Sequence, residues 1–318
     1  MKIVVLDGGK LNPGDLSWEG LDRLGDVTVF SEAQQDRIPE YISDAEAVLV
    51  NKIPLSSDNM KYASKLRYIG VMATGYNIVD LDFARAHGIT VTNVPDYGTE
   101  AVSQYAISLL LEITGRVGHH SDVVREGRWI ESRQWCFWDY PLIELAGKTM
   151  GIIGFGKIGQ RTGEIAKALG MNVIYNSRTR KPDLEKQGFG YRPIDELLPE
   201  SDVVVLHCPL FPETRNIINE TTISKMKDGV IIINNSRGQL IDEKALAKAL
   251  ESGKVRAAGL DVVSVEPMES ANPLYGCRNC FITPHISWAP KETRQRLLSL
   301  VVENLRSFIS GESVNVVS

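Results

Sequence analysis

The stretch TMGIIGFGKIGQRTGEIAKALG, residues 149–170, limits the fold more than any other. An apolar run from Met150 to Ile153 leads straight into Gly154-x-Gly156-x-x-Gly159, and a helix-compatible segment follows. The three glycines have separate physical uses. Gly154 allows a tight turn, Gly156 lets the backbone approach a pyrophosphate, and Gly159 permits close packing of helix on strand. N–H groups left unpaired at a helix start face the anion. Alone the pattern is weak; between a strand and a helix it reads as a dinucleotide-binding loop, comprising Gly154, Phe155, Gly156, Lys157, Ile158 and Gly159.

Around this loop, short β-branched runs alternate with helical stretches twice over. The first series is KIVVLD, VTVF, AVLV, LRYIGVMATG and ITVTNV; the second is TMGIIGFG, NVIYNS, DVVVLHCP, VIIINNSRG, VRAAGLDVV and CFITPH. Each reads as parallel strands with crossover helices. The expectation is an α/β protein of two doubly wound parallel-sheet domains, Rossmann- or flavodoxin-like, around a cleft. A chain of 318 residues, 43% hydrophobic, is long enough for two cores. Between the series, Val102, Tyr105, Ala106, Leu109, Leu110 and Ile113 recur at helical spacing, as do Leu297, Val301, Leu305 and Phe308 near the end. The last helix is expected to return to the first domain. A discontinuous substrate-binding domain would then span 1–98 plus 290–318 and a dinucleotide-binding domain 99–289, with two chain crossings as a hinge.

A net charge of −5 without a long basic run argues against nucleic acid and anionic membrane as partners. No stretch approaches the roughly 20 apolar residues of a membrane span. The opening MKIVVLDGGK reads as a strand, and a cytoplasmic protein is expected. Cys136, Cys208, Cys277 and Cys280 are too scattered for a disulfide framework and read as free thiols. Cys277 and Cys280 have the spacing of half a zinc site but no second pair accompanies them, so no metal is expected.

An NAD-binding fold usually ends its second strand with a carboxylate for the adenine ribose. About 18 residues beyond Gly159 this chain has Asn176 and Ser177, then Arg178 and Arg180. Guanidinium groups make charge-assisted bonds to a 2'-phosphate that no carboxylate here would repel, so NADP(H) is favoured over NAD(H). A solvated basic loop that also accepts NAD is the alternative.

In an open parallel sheet, ligands bind beyond the carboxyl ends of the strands. The second series delivers Arg237, Asp261, Glu266 and His285 there. These groups suit reduction of a 2-oxo acid: a bidentate guanidinium for the carboxylate, a histidine to protonate the carbonyl oxygen, and a carboxylate to favour the imidazolium and orient its ring. Blander readings are a surface cation for Arg237, a core histidine for His285, a loop acid for Glu266 and a structural cap for Asp261.

The motifs GFGKIGQ, HCPLFPETRNIIN, NNSRGQLID, GLDVVSVEP and TPHISWAP, in this order, resemble the D-isomer-specific 2-hydroxyacid dehydrogenases over essentially the whole chain. The resemblance implies that Arg237 binds the substrate carboxylate and carbonyl, that Glu266 pairs with the acid/base His285, and that Asp261 contacts the nicotinamide carboxamide. It implies that backbone N–H groups of Met72, Ala73, Thr74 and Gly75 hold the substrate carboxylate. Thr99, His207, Cys208, Pro209, Thr214, Asn235, Ser236 and His285 join the cofactor pocket; for His207, packing serves as well as any catalytic role. Trp135, Phe137 and Trp138 fall where the family builds part of its dimer contact and active-site rim, with ordinary packing as the alternative, and a homodimer is expected. His119 and His120, in a polar segment, read as solvent-facing.

ATGYN with YGTEAVSQ looks most like the glycerate dehydrogenase and hydroxypyruvate reductase branch. The expected reaction takes hydroxypyruvate or glyoxylate to D-glycerate or glycolate. Phosphoglycerate dehydrogenase, formate dehydrogenase and a nucleotide-sensing corepressor-like scaffold remain as rivals.

Overall fold

Each β-branched run forms a strand, and all strands pair in parallel, in a computed structural model that describes residues 1–318. The chain divides into two units, Met1–Gly98 with Trp288–Ser318, and Thr99–Ser287.

In the first unit, β1 (Lys2–Val5), β2 (Asp26–Val29), β3 (Ala47–Val50), β4 (Tyr68–Val71) and β5 (Thr90–Thr92) form one sheet in the order β2-β1-β3-β4-β5. Its strands β3 and β4 are buried at every position because both faces are covered. Val4, Val48, Val50, Ile69 and Val91 enter one core, while Ile3, Val5, Ala47, Leu49 and Tyr68 enter the other. The helix Lys291–Ile309 covers the second face with Leu297, Leu298, Val301 and Leu305, which is why its apolar residues repeat at helical spacing. Leu297 is fully buried, so truncation to Ala would cost about 2–5 kcal/mol. Beyond this helix the tail closes the sheet edge: Val316 bridges Thr92 antiparallel, and Val317 N–H donates to Val91 O at 2.8 Å.

The second unit holds β6 (Thr149–Ile153), β7 (Asn172–Asn176), β8 (Gly190–Tyr191), β9 (Val203–Leu206), β10 (Val230–Asn234), β11 (Val255–Leu260) and β12 (Cys280–Ile282), in the order β12-β11-β10-β9-β6-β7-β8. Winding reverses between β6 and β9, the point at which such sheets bind ligands. The helix Thr99–Gly115 packs Leu109 and Ile113 onto β11 at Gly259, where a Cβ would stand 3.0 Å from that of Leu109. No helix is long and apolar enough to cross a membrane.

One expectation is corrected here. His119 and His120 do not face solvent freely. His119 Nε2 lies 2.6 Å from Asp139 Oδ2; His120 Nδ1 bonds Arg116 O at 2.8 Å while its Nε2 accepts from Asp139 N–H at 3.2 Å. Arg128 also bonds Asp139 at 2.6 Å, and with His119 it pulls that carboxyl down to about 2. The polar composition of the segment concealed a partner 20 residues on. By contrast, Trp135 and Trp138 are 89% and 65% exposed, so packing within the chain does not account for them.

Candidate active site

The cofactor loop follows β6. Gly154 has φ +97°, a conformation L-residues avoid, and a Cβ there would come within 2.3 Å of Cys208 N. At Gly159 a Cβ would lie 2.3 Å from Gly154 O, so the helix Lys157–Ala168 could not seat. Gly156 is different: nothing stands within 4 Å of its added Cβ, leaving open space beside the helix start. The first helical bond runs from Gln160 N–H to Gly156 O, so earlier N–H groups point out of the helix end, as an anion site requires. Lys157 is exposed and Ile158 half-buried. The Phe155 ring is in the core, stacked on Tyr175 at 4.3 Å, so only its backbone can serve the loop. Ser103, which sequence reasoning missed, fastens the long helix to this loop. Its buried hydroxyl meets Thr99 O at 2.7 Å and Ile158 O at 3.0 Å.

At the end of β7 the two arginines part company. Arg180 is held by Glu185 through two parallel bonds of 2.7 Å, so its guanidinium is already neutralised. Arg178 is exposed, with its guanidinium 5.3 Å above the Phe211 ring. Asn176 gives its amide N–H to Arg192 O at 2.9 Å, and Ser177 Oγ donates to Thr179 O at 2.7 Å.

Beyond β9, His207 points inward: its Nε2 is 2.9 Å from Thr162 Oγ1, and burial pushes the imidazole down to about 3. Such a ring stays neutral and does no acid/base work near pH 7. Burial likewise pushes the Cys208 thiol up to about 11. Thr214 Oγ1 closes the next turn onto Pro209 O at 2.8 Å. Ser236 Oγ donates to Cys208 O at 2.8 Å, linking the ends of β9 and β10. Asn235 gives its amide N–H to Val102 O at 2.8 Å, but its Oδ1 is buried without a partner. A buried acceptor lacking a donor is costly alone, and it fits a site completed by a bound amide or hydroxyl. Together with the open space at Gly156, this matches a nicotinamide dinucleotide.

β10, β11 and β12 are neighbours, so the residues following them emerge along one edge. Asn234 shapes the first of these turns, accepting from Ser236 N–H at 3.1 Å and donating to Arg237 O at 2.9 Å. Arg237 is half-buried and its guanidinium makes one bond, Nη1 to Ser236 O at 2.8 Å. Asp261 is fully buried. One oxygen accepts from Thr283 Oγ1 at 2.7 Å and Ile286 N–H at 2.9 Å; the other accepts from Ser287 N–H at 2.8 Å and from the Ser287 hydroxyl. Both oxygens thus clasp the segment carrying His285, whose φ is +55°. His285 Nδ1 meets Glu266 Oε2 at 2.7 Å. The side chains remain 26% and 38% exposed, so this pair is open to a ligand.

In the first unit, Met72 follows β4 with its side chain buried and its N–H on Val50 O at 2.7 Å. Thr74 Oγ1 donates to Val94 O at 2.9 Å, and Asn93 Nδ2 donates to Thr74 O at 2.7 Å. Those bonds hold the loop, while the N–H groups of Ala73, Thr74 and Gly75 bond nothing in the protein. A cavity of about 620 Å³ lies elsewhere, lined by Lys244, Leu250, Cys277 and Arg278 on the side from which β12 begins. No group of three or more His, Cys, Asp or Glu could hold a metal ion, and all four cysteines are free.

Residues 107–287 match the D-isomer specific 2-hydroxyacid dehydrogenase NAD binding domain. The chain is 57% identical to hydroxypyruvate reductase of Blautia hydrogenotrophica over 321 residues, covering 100% of each. It is 38% identical to glycerate dehydrogenase of Methylorubrum extorquens over 89% of this chain and 88% of that one. Among solved structures, an acyclic imino acid reductase in complex with NADPH and D-Arg superposes with a TM-score of 0.84 at 28% identity, covering 100% of both chains. The glycine loop, the unpartnered Asn235 amide oxygen and the Glu266–His285 pair all fit what this family does, and the chain belongs to it: it is a D-isomer-specific 2-hydroxyacid dehydrogenase, an oxidoreductase that works with a nicotinamide cofactor.

Proposed function

We propose that this enzyme reduces hydroxypyruvate, and secondarily glyoxylate, to the D-2-hydroxy acid, with Arg237, Glu266 and His285 as its working groups. The observation that carries the reading is the 2.7 Å bond between His285 Nδ1 and Glu266 Oε2, made along the sheet edge where Arg237 also emerges. The carboxylate orients the ring through Nδ1, so Nε2 is the nitrogen that delivers a proton to the substrate's carbonyl oxygen. Arg237, with most of its N–H groups unspent, takes the substrate carboxylate and polarises the carbonyl. The N–H groups of Ala73, Thr74 and Gly75 give the carboxylate further donors without adding a titrating group. A bound reduced nicotinamide supplies the hydride. The choice of substrate draws on the hydroxypyruvate reductase and glycerate dehydrogenase relatives.

The purified protein is expected to consume NADPH when hydroxypyruvate is added, with D-glycerate as product. A flat absorbance trace across a panel of 2-oxo acids with both reduced cofactors would overturn the reading. NADPH is favoured over NADH because Arg178 and Ser177 stand where a carboxylate would otherwise repel the 2'-phosphate; a lower Michaelis constant for NADH refutes this. Exposed Trp129, Ile130, Trp135, Trp138 and Leu142 support a homodimer joined through this surface, which light scattering measures. Four free thiols accord with a cytoplasmic setting.

A further inference from the structure

Glu243 stands at the first position of the helix Glu243–Glu251, yet the helix does not use its side chain. The cap is Asp242, whose carboxylate accepts from Lys244 N–H at 3.0 Å and Ala245 N–H at 3.1 Å. Glu243 turns instead to the loop after β11. Its Oε1 accepts from Ser264 N–H at 2.7 Å; its Oε2 accepts from Ser264 Oγ at 2.6 Å and Asn272 Nδ2 at 3.0 Å. No lysine or arginine pairs with it, so its charge is met by these neutral donors alone.

Ser264 is held on its remaining side too, since Gln239 Nε2 donates to its carbonyl at 2.7 Å. Gly238 presses on the same backbone: a Cβ there would sit 2.0 Å from the Val263 carbonyl carbon. All three polar groups of Ser264 are therefore gripped by the connection that leaves β10, the one that carries Arg237. Two residues on, Glu266 sends Oε1 back to Val263 N–H at 3.3 Å and Oε2 to His285 Nδ1. The span 263–266 is a short lever, clamped in its middle and bearing the carboxylate at its end.

We infer that Glu243, acting through Ser264, positions Glu266 and thereby fixes the imidazole of His285. This rests on Glu266 and His285 being the acid/base pair. Glu243 is a positioning residue and touches no reacting atom. Its carboxylate matches the task because two oxygens reach the amide and the hydroxyl of one residue together, a geometry a single acceptor cannot supply. The same connection presents Arg237 and steadies Glu266, so the substrate anchor and the acid/base pair share one frame.

The test is steady-state kinetics with NADPH and hydroxypyruvate on the full chain, with melting temperature and NADPH binding measured alongside. Glu243→Ala is expected to lower kcat roughly tenfold, the scale of a lost hydrogen bond to a charged group, with NADPH affinity changed by less than about twofold. Glu243→Gln, which keeps one acceptor oxygen, recovers part of the loss. Ser264→Ala reproduces a smaller loss and serves if Glu243→Ala fails to fold. In a Glu266→Gln background, Glu243→Ala is expected to add little, because its route is already cut. Asp242→Ala, which uncaps the same helix without touching Ser264, lowers the melting temperature and leaves kcat near normal. Full additivity in the double variant, a normal kcat in Glu243→Ala, or an equal kcat loss in Asp242→Ala overturns the inference. Normal turnover in Glu266→Gln removes the acid/base assignment itself and this inference with it, a result distinct from additivity.

Discussion

The two sheets use their strand ends differently. After β4 in the first unit, the loop offers only backbone N–H groups from Ala73, Thr74 and Gly75, and its side chains serve to hold the loop. After β10, β11 and β12 in the second unit the strand ends present side chains instead, a guanidinium, a carboxylate and an imidazole, and these are the groups proposed to do the chemistry. A backbone donor has no identity to lose, whereas each side chain supplies a charge or proton no other residue type replaces. Substitution should therefore be far more damaging in the second unit than in the first.

The severest check is His285→Ala. Loss of the proton donor is expected to lower kcat by about 10²–10⁴ while NADPH still binds, and near-normal turnover would break the contrast at its strongest point. Arg237→Lys comes next. One ammonium cannot replace a planar fork, so kcat/KM should fall by about 10–100-fold, measured by substrate titration. In the first unit, Thr74→Ser keeps the hydroxyl bond and should change kcat/KM by less than about twofold. Ala73→Pro deletes a donor and should cost roughly tenfold with most of the loss in KM, whereas a large effect of Thr74→Ser would show that side-chain identity matters there after all. Arg178→Ala should raise the Michaelis constant for NADPH about tenfold and that for NADH little. Arg180→Ala, already paired with Glu185, should change neither.

The smallest effect concerns acid. His207 takes up a proton in the fold only at about 3, against 6.5 ordinarily, so between those values the unfolded state binds more protons and stability falls as pH drops. At pH 5 this should weaken the second unit by about 1–2 kcal/mol relative to pH 7. Asp7, in the first unit, has the opposite sign. Burial raises its carboxyl above the ordinary 3.8 despite N–H bonds from Asn51, Lys52 and Ile53, so the strain of its charge eases as pH falls. Amide exchange resolved by peptide should show the second unit loosening first below pH 6, and His207→Gln should reduce the difference.

The same contrast explains what could be read in advance. Strands are legible where short apolar and β-branched runs recur between helical stretches; β8, only Gly190–Tyr191, has no such run and becomes a strand through its pairing with Ile174 and Tyr175. That Arg237, Glu266 and His285 follow neighbouring strands could be read from the order of the runs, and their proposed roles come from the chemistry their side chains allow. Ser103, Asn234 and Glu243 were not legible, because a hydroxyl, amide or carboxylate that holds backbone looks like any other polar residue until its partner is folded beside it. The arginines at 178 and 180 looked equivalent for the same reason, since Glu185 declares itself only in space.

The left-handed backbone at His285 has an implication for how this enzyme can be improved. An L-residue there costs about 1–2 kcal/mol that glycine would not, and Asp261 keeps it in place by clasping the residues on both sides. A screen for heat resistance alone would drift toward glycine at 285 and, with His285 in its proposed acid/base role, discard turnover, so any such campaign has to select for activity in the same round.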